Sequence, residues 1–499
     1  MEEEISVMRD RKVWHLVELP SGKSVLGNRW VYSIKKDEFG RIVRYKARLV
    51  AQGYRQVKGD SYDETYSPVI DFTVVRFFFS FLVSNLKWSN IQCDVKAAYL
   101  YAPLKEEIYM KQPLGFVTKG QENLVCRLDR AIYGLHQSGR MWYFELDSIL
   151  VNLGFEKFQY VACAYRYKDF IVLLVYVDDI VVFGRTSVQA KNIVDMLNQH
   201  LDLKILGKTQ KLLGVSFEYT NNSVLIHQKP YINEVYDRFS NFHIPSSSIP
   251  IVKGLKYSKL DCPSDHKSEI EMSKIPYRNL LGCLSFIASR TRPDITYSIN
   301  IFSQFQSNPG LVHWSGLLKV LGYIKQTENL KLKLESHNLD LIAYSDADFA
   351  SNRDDCISLG GSLIFLDKSP ISWRTFKERG VSLSTMESEY IAMVDCVREL
   401  VWLNRIMMDC YSFEFIKVKP FLPIMYADNQ SAIEFTKSPI ENRRTKHINV
   451  KYHFIRKWFY EGVFNLKYIP SKLNLADPFT KGLVKSDLQK FVDKLFICV

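Results

Sequence analysis

Residues 170–183 read Phe170-Ile171-Val172-Leu173-Leu174-Val175-Tyr176-Val177-Asp178-Asp179-Ile180-Val181-Val182-Phe183. Two strongly β-prone runs flank Tyr176-Val177-Asp178-Asp179, so the stretch is expected to fold as a hairpin with both aspartates at its turn. Aspartate is an ordinary turn residue, and the pair taken alone is mere punctuation. Residues 90–95, however, read as a second short strand that ends on Asp94, and adjacent strands of one sheet would gather three carboxylates. Such a group repels itself unless cations lie between its members. Two divalent ions about 4 Å apart meet that need and support in-line phosphoryl displacement. Asp94 and Asp178 are the expected bridging ligands, with Asp179 secondary.

Working outward, 499 residues exceed what one core can organise, and roughly one domain per 100–200 residues implies about two to four domains. Lysine and arginine total 66 against 54 acidic residues, a balance of +12 that favours a polyanionic partner. The longest apolar run, Phe170–Val177, stops at two aspartates, far short of the about 20 residues a membrane span needs. The acidic start, Met1-Glu2-Glu3-Glu4, has the wrong sign for a secretory or transit signal, so an intracellular, soluble protein without a membrane partner is expected. Nine scattered cysteines with no C-x-x-C spacing suggest neither a disulfide framework nor a zinc site.

Residues 29–36 and 43–51 read as a basic hairpin around Lys36-Asp37-Glu38-Phe39-Gly40, and residues 73–86 suit a buried helix. Strand-helix alternation runs to about residue 240. Prolines, serines and lysines then gather over 244–276, marking a linker. Beyond it Trp314, Leu317, Leu318, Leu321 and Ile324 share one apolar helical face, which reads as a core stripe. A new cycle follows, with strands at 340–345, 361–366 and 423–427 and a helix over about 385–408. The expected division is 1–243, a linker at 244–275, a helical region at 276–338, an α/β domain at 339–484 and a tail at 485–499.

That last domain carries a second acidic set. Asp346 ends one strand, Glu387 opens the helix, Asp428 ends another strand, and Asp477 follows Asn474-Leu475-Ala476. Ser384-Thr385 can cap the helix, so Glu387 also suits its dipole, and Asp348 and Glu389, two residues away, remain alternative acids. Arg443, Arg444, Lys446 and His447 head a basic stretch interleaved with Tyr452, Phe454 and Trp458, a mixture suited to phosphates and bases.

Cys93-Asp94-Val95-Lys96-Ala97-Ala98-Tyr99-Leu100 and Tyr176–Asp179 resemble the two metal-binding palm motifs of reverse transcriptases. Lys46-Ala47-Arg48-Leu49-Val50-Ala51-Gln52-Gly53-Tyr54, Thr65-Tyr66-Ser67-Pro68-Val69 and Ile132-Tyr133-Gly134-Leu135-His136-Gln137-Ser138 narrow the resemblance to Ty1/copia-type retrotransposon Pol polyproteins. Tyr344–Asp348, Ser384–Tyr390 and Ala427–Ile433 resemble the Asp-Glu-Asp-Asp set of the attached ribonuclease H.

The resemblance implies a multidomain α+β and α/β chain: polymerase fingers, palm and helical thumb, then a ribonuclease H-like mixed-sheet domain. It implies an RNA-directed DNA polymerase with hybrid-specific ribonuclease H activity, and magnesium, two ions per site, with manganese as the alternative. Asp94, Asp178, Asp179, Asp346, Glu387, Asp428 and Asp477 would be the metal-binding acids. Arg48 and Lys46 would meet the triphosphate, Val95 and Gln137 would contact the nucleotide, and Tyr99 would exclude a 2′-hydroxyl. Arg443, Arg444, Lys446 and His447 would touch nucleic acid.

Implied partners are an RNA template, a DNA primer or template, the RNA–DNA hybrid, dNTPs and the other parts of the polyprotein. The implied location is a cytoplasmic retrotransposon particle with access to the nucleus. Gly139 stands where the family usually has proline, Ala102 where it has glycine, Ser358-Leu359-Gly360 for Thr-Ser-Gly and Phe349 for tryptophan. No Asp-Thr-Gly or Asp-Ser-Gly protease signature, zinc knuckle or integrase-type His/Cys set is present, so a segment of a longer polyprotein is expected. The alternative is a catalytically inactive nucleic-acid-binding remnant.

Overall fold

Ile171–Tyr176 and Asp179–Gly184 pair as an antiparallel hairpin closed by Val177 and Asp178, as the two β-prone runs predict. In the computed structural model, which describes residues 1–36, 41–168, 170–438 and 453–498, this hairpin lies inside a six-stranded antiparallel sheet. The strand order is Leu203–Gly207, Ser89–Val95, Asp179–Gly184, Ile171–Tyr176, Val161–Tyr167, Glu156–Phe158. Every residue from Ile171 to Val175 is buried, so this strand reads as a continuous apolar run instead of an alternating one. Helices Ser138–Asn152 and Ser187–Asn198 bury Trp142, Leu146 and Leu150, and Ala190, Ile193, Val194 and Leu197. Thr186 and Gln189 cap the second of them reciprocally.

Packing divides the chain into two compact units, Met1–Ile70 with Ser89–Lys208, and Asp71–Trp88 with Thr209–Val499. The first contains that sheet, the basic hairpin Asn28–Lys36 with Ile42–Ala51, and a smaller sheet of Trp14–Val17, Val125–Arg130, Pro103–Met110 and Val25–Leu26. Its N-terminal helix, Glu2–Asp10, buries Ile5 and Met8 in a cluster with Leu49, Ala51, Leu100 and Leu135.

In the second unit, Phe72–Phe78 and its continuation Phe79–Asn85 form the expected buried helix, capped by Asp71. It packs with residues far downstream: Arg76 donates to the carbonyl of Ile371 at 2.7 Å and lies 3.9 Å over the ring of Trp373. Residues 1–243 are therefore shared between both units. Trp314, Leu317, Leu318, Leu321 and Ile324 are all buried on helix Leu311–Gln326. Residues 244–275 hold a 3-10 turn, Lys259–Asp261, and one short α-helix, His266–Ser273, capped by Asp265. Residues 485–498 form helix Lys485–Leu495 and strand Phe496–Cys498, which pairs with Leu330–Glu335 because Leu488, Phe491, Val492 and Leu495 make one apolar face.

The last sheet runs Ser369–Lys377, Leu359–Leu366, Leu341–Asp348, Ile424–Ala427, Asn465–Tyr468. Three antiparallel strands are followed by two parallel ones, and helix Thr385–Ser412 packs on the strands Leu341–Asp348 and Leu359–Leu366. No helix among the described residues is long and apolar enough to cross a membrane.

Candidate functional site

The ladder between Ser89–Val95 and Asp179–Gly184 sets Asp94 directly opposite Asp179, with Asp178 in the adjoining turn. Val177 supports that turn at φ +54°, a left-handed conformation that costs a β-branched residue about 1–3 kcal/mol. Two hydrogen bonds hold it: the Trp142 indole donates to the Val177 carbonyl at 2.7 Å, and the Val95 N–H donates to the Asp178 carbonyl at 2.8 Å. Burial, and then the Asp178 carboxylate, push the Asp94 carboxyl up, while Lys46, Lys204 and Arg48 pull it down. Asp179 is also raised, by burial first and by Asp178 and Asp94, although Gln92 donates to it at 3.1 Å.

Lys46 and Arg48 share one face of the basic hairpin, two residues apart. The Arg48 guanidinium lies 4.9 Å over the ring of Tyr133, and Tyr133 meets Tyr99 edge-on at 5.1 Å. Tyr99 sits on a short turn, Ala98–Tyr101, where burial and then Asp178 raise its hydroxyl. Two glycines permit the approach of the basic hairpin to the Tyr133 loop. A Cβ on Gly53 would lie 1.9 Å from the Gly134 carbonyl, and Gly134 itself adopts φ +95°. Beside them the Ala51 N–H donates to the Tyr133 carbonyl at 2.8 Å.

Two residues expected to contact the nucleotide, Gln137 and Val95, lie beneath the surface. Gln137 is only 2% exposed. Its Oε1 accepts from Gln56 at 3.0 Å and its Nε2 donates to the Ser61 carbonyl at 2.9 Å, so it ties loops together beneath the surface. Tyr133, four residues earlier, holds the place beside Arg48 and Tyr99. The signal for it was an aromatic residue directly before a glycine in the same quoted word. The Val95 side chain is buried and its N–H is committed to Asp178, leaving only its carbonyl.

The second cluster is tighter: Asp346, Asp428 and Asp477 bring one carboxylate oxygen each to within 4.8 Å of one another. The parallel register explains two of the three. Ile342 pairs with Ile424, an offset of 82 (424 − 342), and the same offset carries Asp346 onto Asp428 at the strand ends. Asn474 delivers the third by donating to the Ser345 carbonyl at 2.9 Å. Thr480 donates to Asp346, and Lys481 pairs with Asp477 at 2.7 Å.

Glu387 does not join this cluster. Its carboxylate accepts the Leu383 N–H at 2.8 Å, just ahead of its own helix. Glu389, two residues on, is buried and feels the aspartates: burial followed by Asp346 and Asp428 pushes its carboxyl up to about 10. Asp346 is raised to about 7 by burial and then by Asp477 and Asp428. Asp428 Oδ1 and Glu389 Oε2 are buried without a hydrogen-bond partner, which suits a divalent ion. Asp348 lies apart, lining a cavity of about 240 Å³ with Lys256, Tyr297 and Lys481. Arg443, Arg444, Lys446 and His447 lie outside the described residues.

The antiparallel sheet thus presents paired aspartates, and the mixed sheet a converging acidic set. Residues 11–253 match the family described as reverse transcriptase (RNA-dependent DNA polymerase). The chain is 36% identical over 98% of its length to the Retrovirus-related Pol polyprotein from transposon TNT 1-94 of Nicotiana tabacum, covering 37% of that protein. It is 34% identical over 99% of its length to the Pol polyprotein from transposon RE1 of Arabidopsis thaliana, covering 33%. The Ty1-DR6 Gag-Pol polyprotein of Saccharomyces cerevisiae is 24% identical over 92% of the chain, with 26% of the relative covered. The chain thus spans about a third or less of these relatives' length. A solved foamy viral protease-reverse transcriptase in complex with ds DNA shares the fold, at a TM-score of 0.51 and 12% identity, over 94% of this chain and 69% of that one. Nearly the whole chain is thus similar to one part of copia-type retrotransposon Pol polyproteins, and residues 11–253 match the reverse transcriptase family.

Proposed function

We propose that the chain is an RNA-directed DNA polymerase with ribonuclease H activity on RNA–DNA hybrids, working within a copia-type retrotransposon Pol protein. The observation that carries this reading is the register that sets Asp94 against Asp179 beside Asp178, with Lys46 and Arg48 facing the same carboxylates. Asp94 and Asp178 hold the ions of the polymerase site, and Asp179, already bonded to Gln92, is secondary. Lys46 and Arg48 take the triphosphate, Arg48 by a bidentate fork. Tyr99 closes the sugar side against a 2′-hydroxyl, with Tyr133 behind it.

Asp346, Glu389, Asp428 and Asp477 hold the ions of the nuclease site. Magnesium, two per site, with manganese as substitute, would supply the charge that lowers the pKa of an attacking oxygen and stabilises a leaving one. The substrates are an RNA or DNA template with a DNA primer, dNTPs and the RNA–DNA hybrid. The remaining polyprotein segments are partners, and the setting is a cytoplasmic particle with access to the nucleus. Primer extension on an RNA template with magnesium tests the reading. Extension by the parent chain and none by Asp178→Asn supports it; no product from well-folded protein, or equal product from the variant, leaves a nucleic-acid-binding remnant.

A further inference from the structure

Arg11 follows the N-terminal helix Glu2–Asp10, and its side chain reaches the loop that carries Tyr99. Nη1 donates to the Ala97 carbonyl at 2.7 Å and Nη2 to the Lys96 carbonyl at 3.0 Å. The same guanidinium stacks 3.8 Å over the ring of Tyr101. One planar group therefore grips two successive carbonyls and one aromatic face, a geometry that the rigid arginine fork matches and a lysine does not.

The loop needs such a grip. Ala97 adopts φ +51°, ψ +48°, the left-handed region that a residue with a Cβ resists. That reversal turns the chain from the strand bearing Asp94 into the turn Ala98–Tyr101. The other side of the loop is fastened by Asp202, whose N–H donates to the Tyr101 hydroxyl at 2.7 Å and whose carboxylate pairs with Lys96 at 2.8 Å. The helix that delivers Arg11 is anchored by Ile5 and Met8 in the cluster that includes Leu100 and Leu49, the neighbours of Tyr99 and Arg48. Glu3 of that helix pairs with Arg44 on the basic hairpin at 2.5 Å. The N-terminal segment thus braces both walls of the nucleotide site.

We infer that Arg11 is a positioning residue for sugar selectivity: by holding the Lys96 and Ala97 carbonyls it fixes the left-handed turn from which Tyr99 is presented, and so sharpens discrimination between deoxyribo- and ribonucleoside triphosphates. The inference rests on the reading of Tyr99 as the sugar gate. A gate that senses one hydroxyl is sensitive to small displacements, whereas binding of the shared triphosphate is not.

The test uses the whole 499-residue chain on a poly(rC) template with an oligo(dG) primer, comparing kcat/KM for dGTP and GTP. The ratio is taken within one preparation, so the folded fraction cancels. Arg11→Met is expected to raise GTP use relative to dGTP by about tenfold, Arg11→Lys by less, and Tyr99→Val by more than either. A parent-like ratio for Arg11→Met while Tyr99→Val is relaxed overturns the role of Arg11 and leaves the gate standing. Parent-like ratios for both overturn the gate, and no extension by the parent chain overturns both. A loss of thermal stability in Arg11→Met with an unmoved ratio counts against the inference, because a merely structural arginine would behave so.

Discussion

The indole Nε1 of Trp142 donates a 2.7 Å hydrogen bond to the carbonyl of Val177, the left-handed residue that aims Asp178. Trp142 is 1% exposed and the bond is partly buried, where an orphaned carbonyl costs at most about 1–3 kcal/mol. A buried side chain on a helix thereby stabilises the strain of the turn. Trp142→Phe keeps the aromatic bulk and removes the donor. Primer extension under single-turnover conditions is expected to slow by about tenfold or more while the circular dichroism spectrum stays native. An unchanged rate would mean that the turn holds its shape without the indole.

Gln137 offers a contrast between structural and nucleotide-binding roles. Its amide bridges Gln56 and the Ser61 carbonyl in the interior. Gln137→Ala should lower stability by about 1–3 kcal/mol with the KM for dNTP little changed, whereas Tyr133→Ala should raise that KM. Denaturant unfolding and steady-state kinetics separate the two. A raised KM with full stability in Gln137→Ala would restore it to the nucleotide site.

The two glutamates of the helix Thr385–Ser412 make opposite predictions. Glu389→Gln should abolish cutting of an RNA–DNA hybrid while polymerisation survives. Glu387→Gln should leave cutting within a few-fold of the parent and stability little changed, since the amide oxygen still accepts the Leu383 N–H. Hybrid cleavage assays with a labelled RNA strand decide between them, and loss of cutting in Glu387→Gln alone would reverse the assignment.

The raised carboxyls of this cluster have a consequence for stability against pH. Burial and neighbouring charge lift Asp346 to about 7 and Glu389 to about 10 in the folded chain, against ordinary values of 3.8 and 4.5. Between the ordinary and the raised value the native state holds protons that the unfolded chain has released, so stability falls as pH rises through that window. Without metal, melting temperature should therefore decline from about pH 4 to about pH 7 on account of Asp346, with Glu389 extending the decline upward. Asp346→Asn should flatten the lower part. Magnesium should raise the melting temperature more at pH 8 than at pH 6, since ion binding displaces those protons. Calorimetry in chelator and in magnesium gives the answer, and an identical pH slope in Asp346→Asn would refute the assignment.

The acidic hairpin, the strand that ends on Asp94, the basic hairpin and the central strands of the last sheet were all legible in the amino-acid order. Each is a local pattern: alternation or continuous burial in a strand, with a carboxylate at its end. The order of the two units' motifs was legible for the same reason. Tertiary packing decided what local patterns leave degenerate. Glu387 and Glu389 stand two residues apart on a helix, on roughly opposite faces, and both suit a capped helix start. Only the sheet beneath the helix turns Glu389 inward. Gln137 and Tyr133 share one word of sequence, and only the loops around Gln56 and Ser61 pull the glutamine inside. The register that faces Asp94 with Asp179, and the long reaches of Arg11 and Trp142 to strained carbonyls, join residues 35 to 86 positions apart, beyond any local periodicity.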